Sequence, residues 1–259
     1  SRVMSQQQSA RDSSGAPAGV QLFSARDATI AGAFVVATAA ALPFDRHIAI
    51  ELQRSSLQNN QFLSHTATTF RLISQPGAIG LGALTYVIGR ADNSPRAAEV
   101  GLRTLESIGA AGVVGVLIKG VVGRARPYVV ADSNSHDLHF GRGFHDDGYT
   151  SFPSGHTLVA FAAASAAGEE IGYLWPHSSS LITPALFTGA TLAALSRVYN
   201  DKHWASDVIA GAGVGTVIAR GVVRYGRMHP HNKLDRLLLP NAVMPAPDGS
   251  MALVWSRPW

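Results

Sequence analysis

A histidine followed four residues later by an aspartate, His203 and Asp207, is the first candidate for chemistry. Residues four apart share one face of a helix, so the Asp207 carboxylate can accept the Nδ1 proton of His203 and leave Nε2 free for in-line attack. Arg197, six residues before His203, adds a fork-shaped donor for the equatorial oxygens of a phosphate group. A lone helical histidine is more often structural, but these neighbours are typical of an activated nucleophile with its orienting carboxylate.

A second candidate is the segment Phe-Pro-Ser-Gly-His-Thr at 152–157, which directly precedes an apolar stretch. A helix N-terminus there offers unpaired N–H groups and a positive dipole end to an anion. Ser154 adds a hydroxyl, and Gly155 lets the backbone approach closely. His156 lies beside any anion bound there and can protonate a leaving alkoxide. The alternative is an ordinary capped helix with a surface histidine.

Two cations seven residues apart, Lys119 and Arg126, form the third candidate. Seven residues is close to two helical turns, so both side chains would lie on one face and converge on one anion, with Pro127 helping to end the helix there. Arg124 would be rotated away from that face, toward solvent or a carboxylate. The alternative is a helix C-terminus at which the two cations only interact favourably with the helix macrodipole.

Six apolar stretches must position these residues. They are long and Ala-rich and lack the alternation of half-buried strands, so each indicates a helix. We therefore predict an all-α fold, a bundle of about six core helices with the active site at helix ends. The stretches are 28–44, 72–89, 108–123, 157–168, 181–196 and 208–223.

The hydropathy of the chain leaves the surroundings of this bundle open. Hydrophobic residues make up 46% of the sequence and charged residues only 15%, so a large core or a membrane must absorb the apolar surface. A bilayer span needs about 20 mostly apolar residues, and only 28–44, 72–89 and 171–196 come close. The bundle is either membrane-embedded with short tilted helices or soluble with an unusually apolar core.

The chain divides into three parts by composition. We predict a flexible N-terminal segment at 1–26, a helical domain at 27–226 and a tail at 227–259 with one possible short strand at 251–256. The polar N-terminal segment is compatible with the start of a mature chain after a cleaved leader. The connection at 128–152 is long for a compact domain, which is typical of functional or disordered loops.

Composition excludes several kinds of site. Cysteine is absent, which excludes disulfides, zinc–thiolate sites and thiol nucleophiles. The net charge is +4, but the basic residues are scattered, so nucleic acid is not an expected partner. The spacing of acidic and histidine residues in the long connection fits no strong metal motif, so we expect a solvated loop and no metal. These residues are His136, Asp137, His139, His145, Asp146 and Asp147.

Together, the patterns Lys-x6-Arg-Pro, Pro-Ser-Gly-His and Ser-Arg-x5-His-x3-Asp, in this order, resemble the signature of the type 2 phosphatidic acid phosphatase and vanadium haloperoxidase superfamily (acid phosphatase-like). The motifs span 119–207, and the helices extend the resemblance to about 28–224. It implies an all-α bundle, a phosphohistidine intermediate on His203 and His156 as general acid. It also implies phosphate binding by Lys119, Arg126, Ser154, Gly155 and Arg197.

Residues and resemblance together lead us to expect a metal-independent phosphatase without a cofactor, acting on phosphate monoesters or pyrophosphates, with lipid phosphates favoured. The alternatives are a vanadium-dependent haloperoxidase, a soluble non-specific acid phosphatase of the cell envelope and a non-catalytic anion- or lipid-binding protein. The chain is short for a haloperoxidase of this superfamily. We expect a membrane-associated or periplasmic protein of the cell envelope, with the membrane as a partner and the active site outside the cytoplasm.

Overall fold

The apolar stretches of the sequence form long helices, and the all-α prediction is confirmed. The computed structural model describes residues 21–130, 134–229, 232, 242–245 and 251–254. Besides the α-helices, a 3₁₀ turn occupies Leu42–Phe44 and a π-helix occupies Ile73–Gly77. The helices are α1 (Ala25–Ala41), α2 (Asp45–Leu52), α3 (Ser55–Gln58), α4 (Gln61–Leu72), α5 (Ala78–Ala91), α6 (Pro95–Val122), α7 (Gly155–Leu174), α8 (Pro176–Tyr199) and α9 (Ala205–Met228).

Several helix boundaries differ from the prediction. The stretch 72–89 is not one regular helix, because Pro76 lacks a backbone N–H and lies within the π-helix. The stretch 171–196 is interrupted at Trp175, where α7 ends and Pro176 begins α8. Helices α2 to α4 were not predicted, because their mixed polar and apolar residues form no long apolar run.

Both ends of the helical region extend beyond the predicted borders. Helix α1 begins inside the segment predicted as flexible, because Ser24 and Asp27 form a capping box at its N-terminus. Helix α9 continues to Met228, two residues into the predicted tail. In that tail, strands β1 (Ala242–Pro245) and β2 (Met251–Val254) pair antiparallel. The predicted strand at 251–256 corresponds to β2, and its last two residues lie outside the described residues.

Helix α7 lies at the centre of the bundle and packs against α6, α8 and α9. Leu158 and Ala162 of α7 share an apolar core with Ile108 of α6 and Val223 of α9. Gly215 of α9 allows a very close approach, since a Cβ there would lie 2.3 Å from the Leu158 carbonyl oxygen. This packing brings α7 and α9 into close contact along their lengths.

Large apolar side chains cover the outer surface of the bundle. Val36 of α1 is 68% exposed, Leu81 of α5 61% and Leu117 of α6 56%. A surface of this kind suits lipid contact better than water. The chain is therefore membrane-associated, and the soluble alternative is not favoured. In the part of the chain that the structure describes, five helical segments are long and apolar enough to cross a membrane by length and composition, namely Ala25–Leu52, Gln61–Ala91, Pro95–Val122, Pro176–Tyr199 and Ala205–Met228.

Candidate active site

One end of the bundle contains a cavity of about 410 Å³, where the last turns of α6 and α8 meet the first turn of α7. Most of the predicted site residues line this cavity, namely Lys119, Arg126, Gly155, His156, Arg197 and His203. The other two, Ser154 and Asp207, are fully buried and are not among the lining residues. The three sequence clusters therefore meet at helix ends, although they are far apart along the chain.

His203 is buried and oriented by a backbone carbonyl. Its Nδ1 lies 2.7 Å from the carbonyl oxygen of Ser151, and its side chain lines the cavity. A carbonyl oxygen only accepts hydrogen bonds, so Nδ1 carries the proton and Nε2 keeps its lone pair. This is the tautomer that a nitrogen nucleophile requires.

The predicted hydrogen bond from His203 to Asp207 is wrong. The Asp207 Oδ2 atom lies 3.7 Å from Nδ1, which is too far for a hydrogen bond. Helix α9 begins only at Ala205, so His203 lies in the preceding turn and the helical four-residue spacing does not apply. Asp207 instead accepts hydrogen bonds from the Trp204 backbone N–H at 2.9 Å and from the Ser151 hydroxyl. The Asp207 carboxylate places a buried negative charge beside the imidazole. Its hydrogen bond with the Ser151 hydroxyl also holds the residue whose carbonyl oxygen orients His203.

Both cavity histidines are neutral at pH 7, because the pKa of each is lowered. Burial lowers the pKa of His203 to about 3, and the Asp207 charge offsets this only in part. Burial, followed by the positive charges of Arg197 and Lys119, lowers the pKa of His156 to about 4. A bound dianion would counteract those positive charges and favour protonated His156. The pair is suited to one neutral nucleophile and one proton donor.

The cations of the cavity differ in how completely they are paired. Lys119 Nζ donates to the Thr150 carbonyl oxygen at 2.5 Å, and Arg126 Nη2 donates to the Thr150 hydroxyl at 2.8 Å. Arg197 is 5% exposed, and its Nε has no hydrogen-bond partner among the described residues. A buried guanidinium with an unused donor is costly unless an anion binds there. An anion in the cavity would satisfy this donor.

Lys119 and Arg126 meet for a different reason from the one predicted. Helix α6 ends at Val122, because Gly123 adopts a left-handed conformation with φ of +57°. Arg126 follows in extended backbone, and its N–H donates to the Gly148 carbonyl oxygen at 2.9 Å. The connection thus folds back over the end of α6 and brings the guanidinium to the lysine, so no shared helical face is involved.

The Pro-Ser-Gly-His segment forms the start of α7, as predicted. Ser154 is the N-cap residue, but its hydroxyl makes no capping bond and lies 3.0 Å from the Thr157 hydroxyl, which donates to it. Its backbone N–H donates to the Asp207 carbonyl oxygen at 3.0 Å and so joins α7 to α9. Gly155 faces Lys119, whose Cε would lie 3.5 Å from an added Cβ. The helix N-terminus and His156 are thereby presented to the cavity.

The long connection forms one wall of the cavity through Gly143, Phe144 and Asp147. Its acidic groups are paired locally: Asp137 with His139 at 2.8 Å and Asp146 with Arg142 at 3.1 Å. Within the described ranges, no group of three or more His, Asp or Glu side chains could hold a metal ion.

Some residues at the site were missed or left open by the sequence. Gln75 of the π-helix lines the cavity, and Pro76 within an apolar stretch was the available signal of a distorted helix there. Arg124, expected to meet solvent or a carboxylate, meets two carboxylates, Asp45 and Asp207. No sequence pattern connects Asp45 with the site, because only the fold brings α2 to this end of the bundle.

Comparison with known proteins gives three matches. The family model described as PAP2 superfamily matches residues 101–230, which include all the predicted site residues. The chain is 46% identical over 69 residues to "Lipid A 1-phosphatase" of Porphyromonas gingivalis, a match that covers 26% of this chain and 14% of that protein. A solved structure, the transmembrane PAP2 type phosphatidylglycerolphosphate phosphatase from Bacillus subtilis, is 18% identical with a TM-score of 0.40 and covers 76% of this chain and 98% of its own.

Proposed function

The chain belongs to the PAP2 superfamily, and we propose that it is a metal-independent phosphatase that hydrolyses a phosphorylated lipid through a phosphohistidine on His203. The observation that supports this most directly is the 2.7 Å contact between His203 Nδ1 and the Ser151 carbonyl oxygen. It leaves a nitrogen lone pair in a cavity lined by three cationic side chains.

Phosphate binding in this proposal uses the cations that line the cavity and the N-terminal N–H groups of α7. Lys119, Arg126 and Arg197 neutralise the phosphoryl oxygens, and the N-terminal N–H groups of α7 add hydrogen bonds. Phosphoryl transfer depends mainly on positioning and on charge stabilisation. These cations perform the task that a divalent metal has in other phosphatases, so the proposed reaction needs no metal.

The reaction then proceeds in two displacements. Nε2 of His203 attacks phosphorus, a P–N bond forms, the P–O ester bond breaks and His156 gives its proton to the leaving oxygen. His156 next accepts a proton from water, whose oxygen attacks phosphorus and breaks the P–N bond to release phosphate. Asp207 stabilises the positive charge that the imidazole carries while it is phosphorylated.

A lipid substrate is supported by the position of the cavity at the ends of helices that are long and apolar enough to span a membrane. Val116 lines the cavity and is also 63% exposed on the outer face of α6, beside the apolar side chains of Val113 and Leu117. A lipid could place its phosphate in the cavity while its chains stay against that face. The lipid A relative supports the same class, and phosphatidic acid, phosphatidylglycerophosphate and undecaprenyl pyrophosphate are further candidates.

We also propose that the cavity faces the outer side of the membrane, as the resemblance of the signature implies. The chain contains no cysteine, so single cysteines can be introduced at exposed His145, near the cavity, and at exposed Asp92, at the opposite end. A membrane-impermeant maleimide should label His145→Cys in intact spheroplasts and Asp92→Cys only after lysis. The reverse pattern would contradict this orientation.

The proposed activity is tested by phosphate release in the presence of EDTA. The purified protein should release phosphate from phosphatidic acid or a lipid A 1-phosphate in detergent micelles, and His203→Asn should reduce the rate by at least about a thousandfold. The exposed histidine variant His177→Asn is the matched control and should retain the normal rate. Phosphate release by His203→Asn at the control rate would refute the assigned nucleophile. Bromide oxidation with vanadate and peroxide, without phosphate release, would indicate the haloperoxidase alternative.

A further inference from the structure

A buried ion network lies directly behind the cavity. Arg124, which is 3% exposed, pairs through Nη1 with Asp207 Oδ1 at 2.6 Å and through Nη2 with Asp45 Oδ2 at 2.8 Å. Both carboxylates are fully buried. None of the three residues lines the cavity, so the network is separate from the surface that would contact substrate.

Every N–H donor of Arg124 has an acceptor. Its Nε and Nη2 donate to the Ser135 carbonyl oxygen at 3.0 and 2.7 Å, and Nη1 donates to the Ser206 hydroxyl at 2.7 Å. With the two carboxylate bonds, the five donors of the guanidinium are all used. Arg124 therefore has no free donor for phosphate, in contrast to Arg197, whose Nε is unpartnered among the described residues.

Asp45 is held as firmly as its arginine partner. Its Oδ1 accepts from the Ser206 backbone N–H at 2.8 Å, and its Oδ2 accepts from the Ser206 hydroxyl as well as from Arg124. Ser206 lies in the first turn of α9, next to Asp207. Asp45 thus connects the start of α2 to the helix turn that carries the Asp207 carboxylate.

The second carboxylate, Asp45, changes the net charge of this network. An ion pair of Arg124 with Asp207 alone would be neutral and would leave little field to stabilise a phosphorylated, positively charged His203. Adding Asp45 makes the sum of the three charges negative. Electrostatic effects of this kind are strong where water is excluded.

We propose that Asp45 and Arg124 are positioning residues for the nucleophile: Arg124 fixes the Asp207 carboxylate, and Asp45 keeps the buried network negative beside His203. Both act through Asp207 and touch neither the substrate nor the reacting atoms. The inference rests on the proposed phosphatase function for its kinetic consequences. Its electrostatic consequence for His203 can be measured without turnover.

The kinetic consequence is a lower kcat with an unchanged KM. Asp45→Asn removes one negative charge with almost no change in volume, and a loss of kcat on the order of tenfold to a hundredfold is expected, as for other residues that orient a functional group from behind. Arg126→Gln, by contrast, should raise KM and weaken the binding of inorganic phosphate, because Arg126 lines the cavity. Exposed Arg54→Gln and Asp92→Asn are the matched controls and should behave as wild type.

The electrostatic consequence has opposite signs for the two residues. The charged or titratable groups beside His203 or in the same cavity lining are Asp207 from α9, Lys119 from α6, His156 from α7, Arg197 from α8, and Arg126 and Asp147 from the connection. Loss of the Arg124 charge leaves two buried carboxylates and should raise the pKa of His203. Loss of the Asp45 charge should not raise it, and Asp45→Asn/Arg124→Gln should lie between wild type and Arg124→Gln. Variants that only disturb the local structure would not give this order of His203 pKa values.

The test combines ¹³C-histidine NMR titration of His203 with steady-state kinetics and competitive inhibition by inorganic phosphate. The expected result is a raised His203 pKa in Arg124→Gln, a lower kcat in both single variants and normal phosphate affinity in both. If Arg124→Gln does not fold, Arg124→Lys keeps the charge but offers fewer donors, and it should lower kcat without moving the pKa. An unchanged pKa in Arg124→Gln, normal kcat in Asp45→Asn, or a loss of phosphate affinity in Asp45→Asn equal to that in Arg126→Gln would overturn the proposal. An inactive wild type would refute the proposed function, while the titration would still decide the role of the network.

Discussion

The Nδ1 atom of His203 lies 2.7 Å from the Ser151 carbonyl oxygen and 3.7 Å from the Asp207 carboxylate. The backbone therefore fixes the tautomer of the imidazole, and the carboxylate acts on it by charge and through Ser151. These two roles can be separated by mutation, because a side-chain substitution at Ser151 leaves its carbonyl in place.

Asp207→Asn should reduce kcat far more than Ser151→Ala. Ser151→Ala retains the carbonyl that holds Nδ1 and loses only one donor to Asp207, so a reduction of about tenfold or less is expected. Asp207→Asn removes the negative charge beside the imidazole and should reduce kcat by roughly a hundredfold or more. Steady-state kinetics of both variants gives the comparison. Equal losses of kcat in the two variants would contradict a role for the Asp207 charge beyond its hydrogen bond with Ser151.

For substrates with alkyl leaving groups, kcat/KM should be highest at acidic pH. kcat/KM should rise as His203 loses its proton, with a pKa of about 3, and should fall as His156 loses its proton, with a free-enzyme pKa of about 4. The 4-nitrophenolate leaving group needs no proton. For 4-nitrophenyl phosphate, the fall of kcat/KM at higher pH should therefore be absent or much weaker. Identical profiles for both leaving groups would contradict the role of His156 as general acid.

Arg197→Gln should abolish stabilisation by vanadate without destabilising the free protein. Burial of the unpartnered Nε of Arg197 is unfavourable, and it becomes favourable when an anion accepts a hydrogen bond from it. Vanadate should therefore raise the Tm of the wild type, and this shift should be lost in Arg197→Gln. Thermal unfolding with and without vanadate measures it. A full vanadate shift in the variant would place the anion elsewhere.

Gly123→Ala should destabilise the site end of the bundle more than Gly141→Ala. Both glycines have positive φ, +57° and +82°, so both substitutions cost about 1–2 kcal/mol in backbone strain. At Gly123 an added Cβ would also lie 1.8 Å from the His139 carbonyl oxygen, whereas at Gly141 nothing lies within 4 Å. Chemical denaturation should rank the variants in this order, and only Gly123→Ala should also lose activity by displacing Arg126. Similar stabilities would argue against the tight fold of the connection over α6.

The helices and the grouping of the site residues could be predicted from the sequence, because apolar runs and motif spacing are local signals. The way in which the residues meet could not. Arg126 reaches Lys119 through a connection that folds back after Gly123, and His203 takes its partner from Ser151, 52 residues earlier. Asp45 lies 79 residues before Arg124. Long-range contacts of this kind leave no periodicity in the sequence and become visible only in the folded chain.

The most direct test of His203 as the nucleophile is to trap the phosphoenzyme. Without His156 the second displacement lacks its base, so His156→Ala, incubated with 4-nitrophenyl phosphate, should accumulate a phosphoryl group that is stable in alkali and labile in acid. Peptide mass spectrometry should locate it on His203, and His156→Ala/His203→Asn should remain unlabelled. A phosphoryl group on any other residue, or 4-nitrophenol release by the double variant at the rate of His156→Ala, would contradict a phosphohistidine on His203.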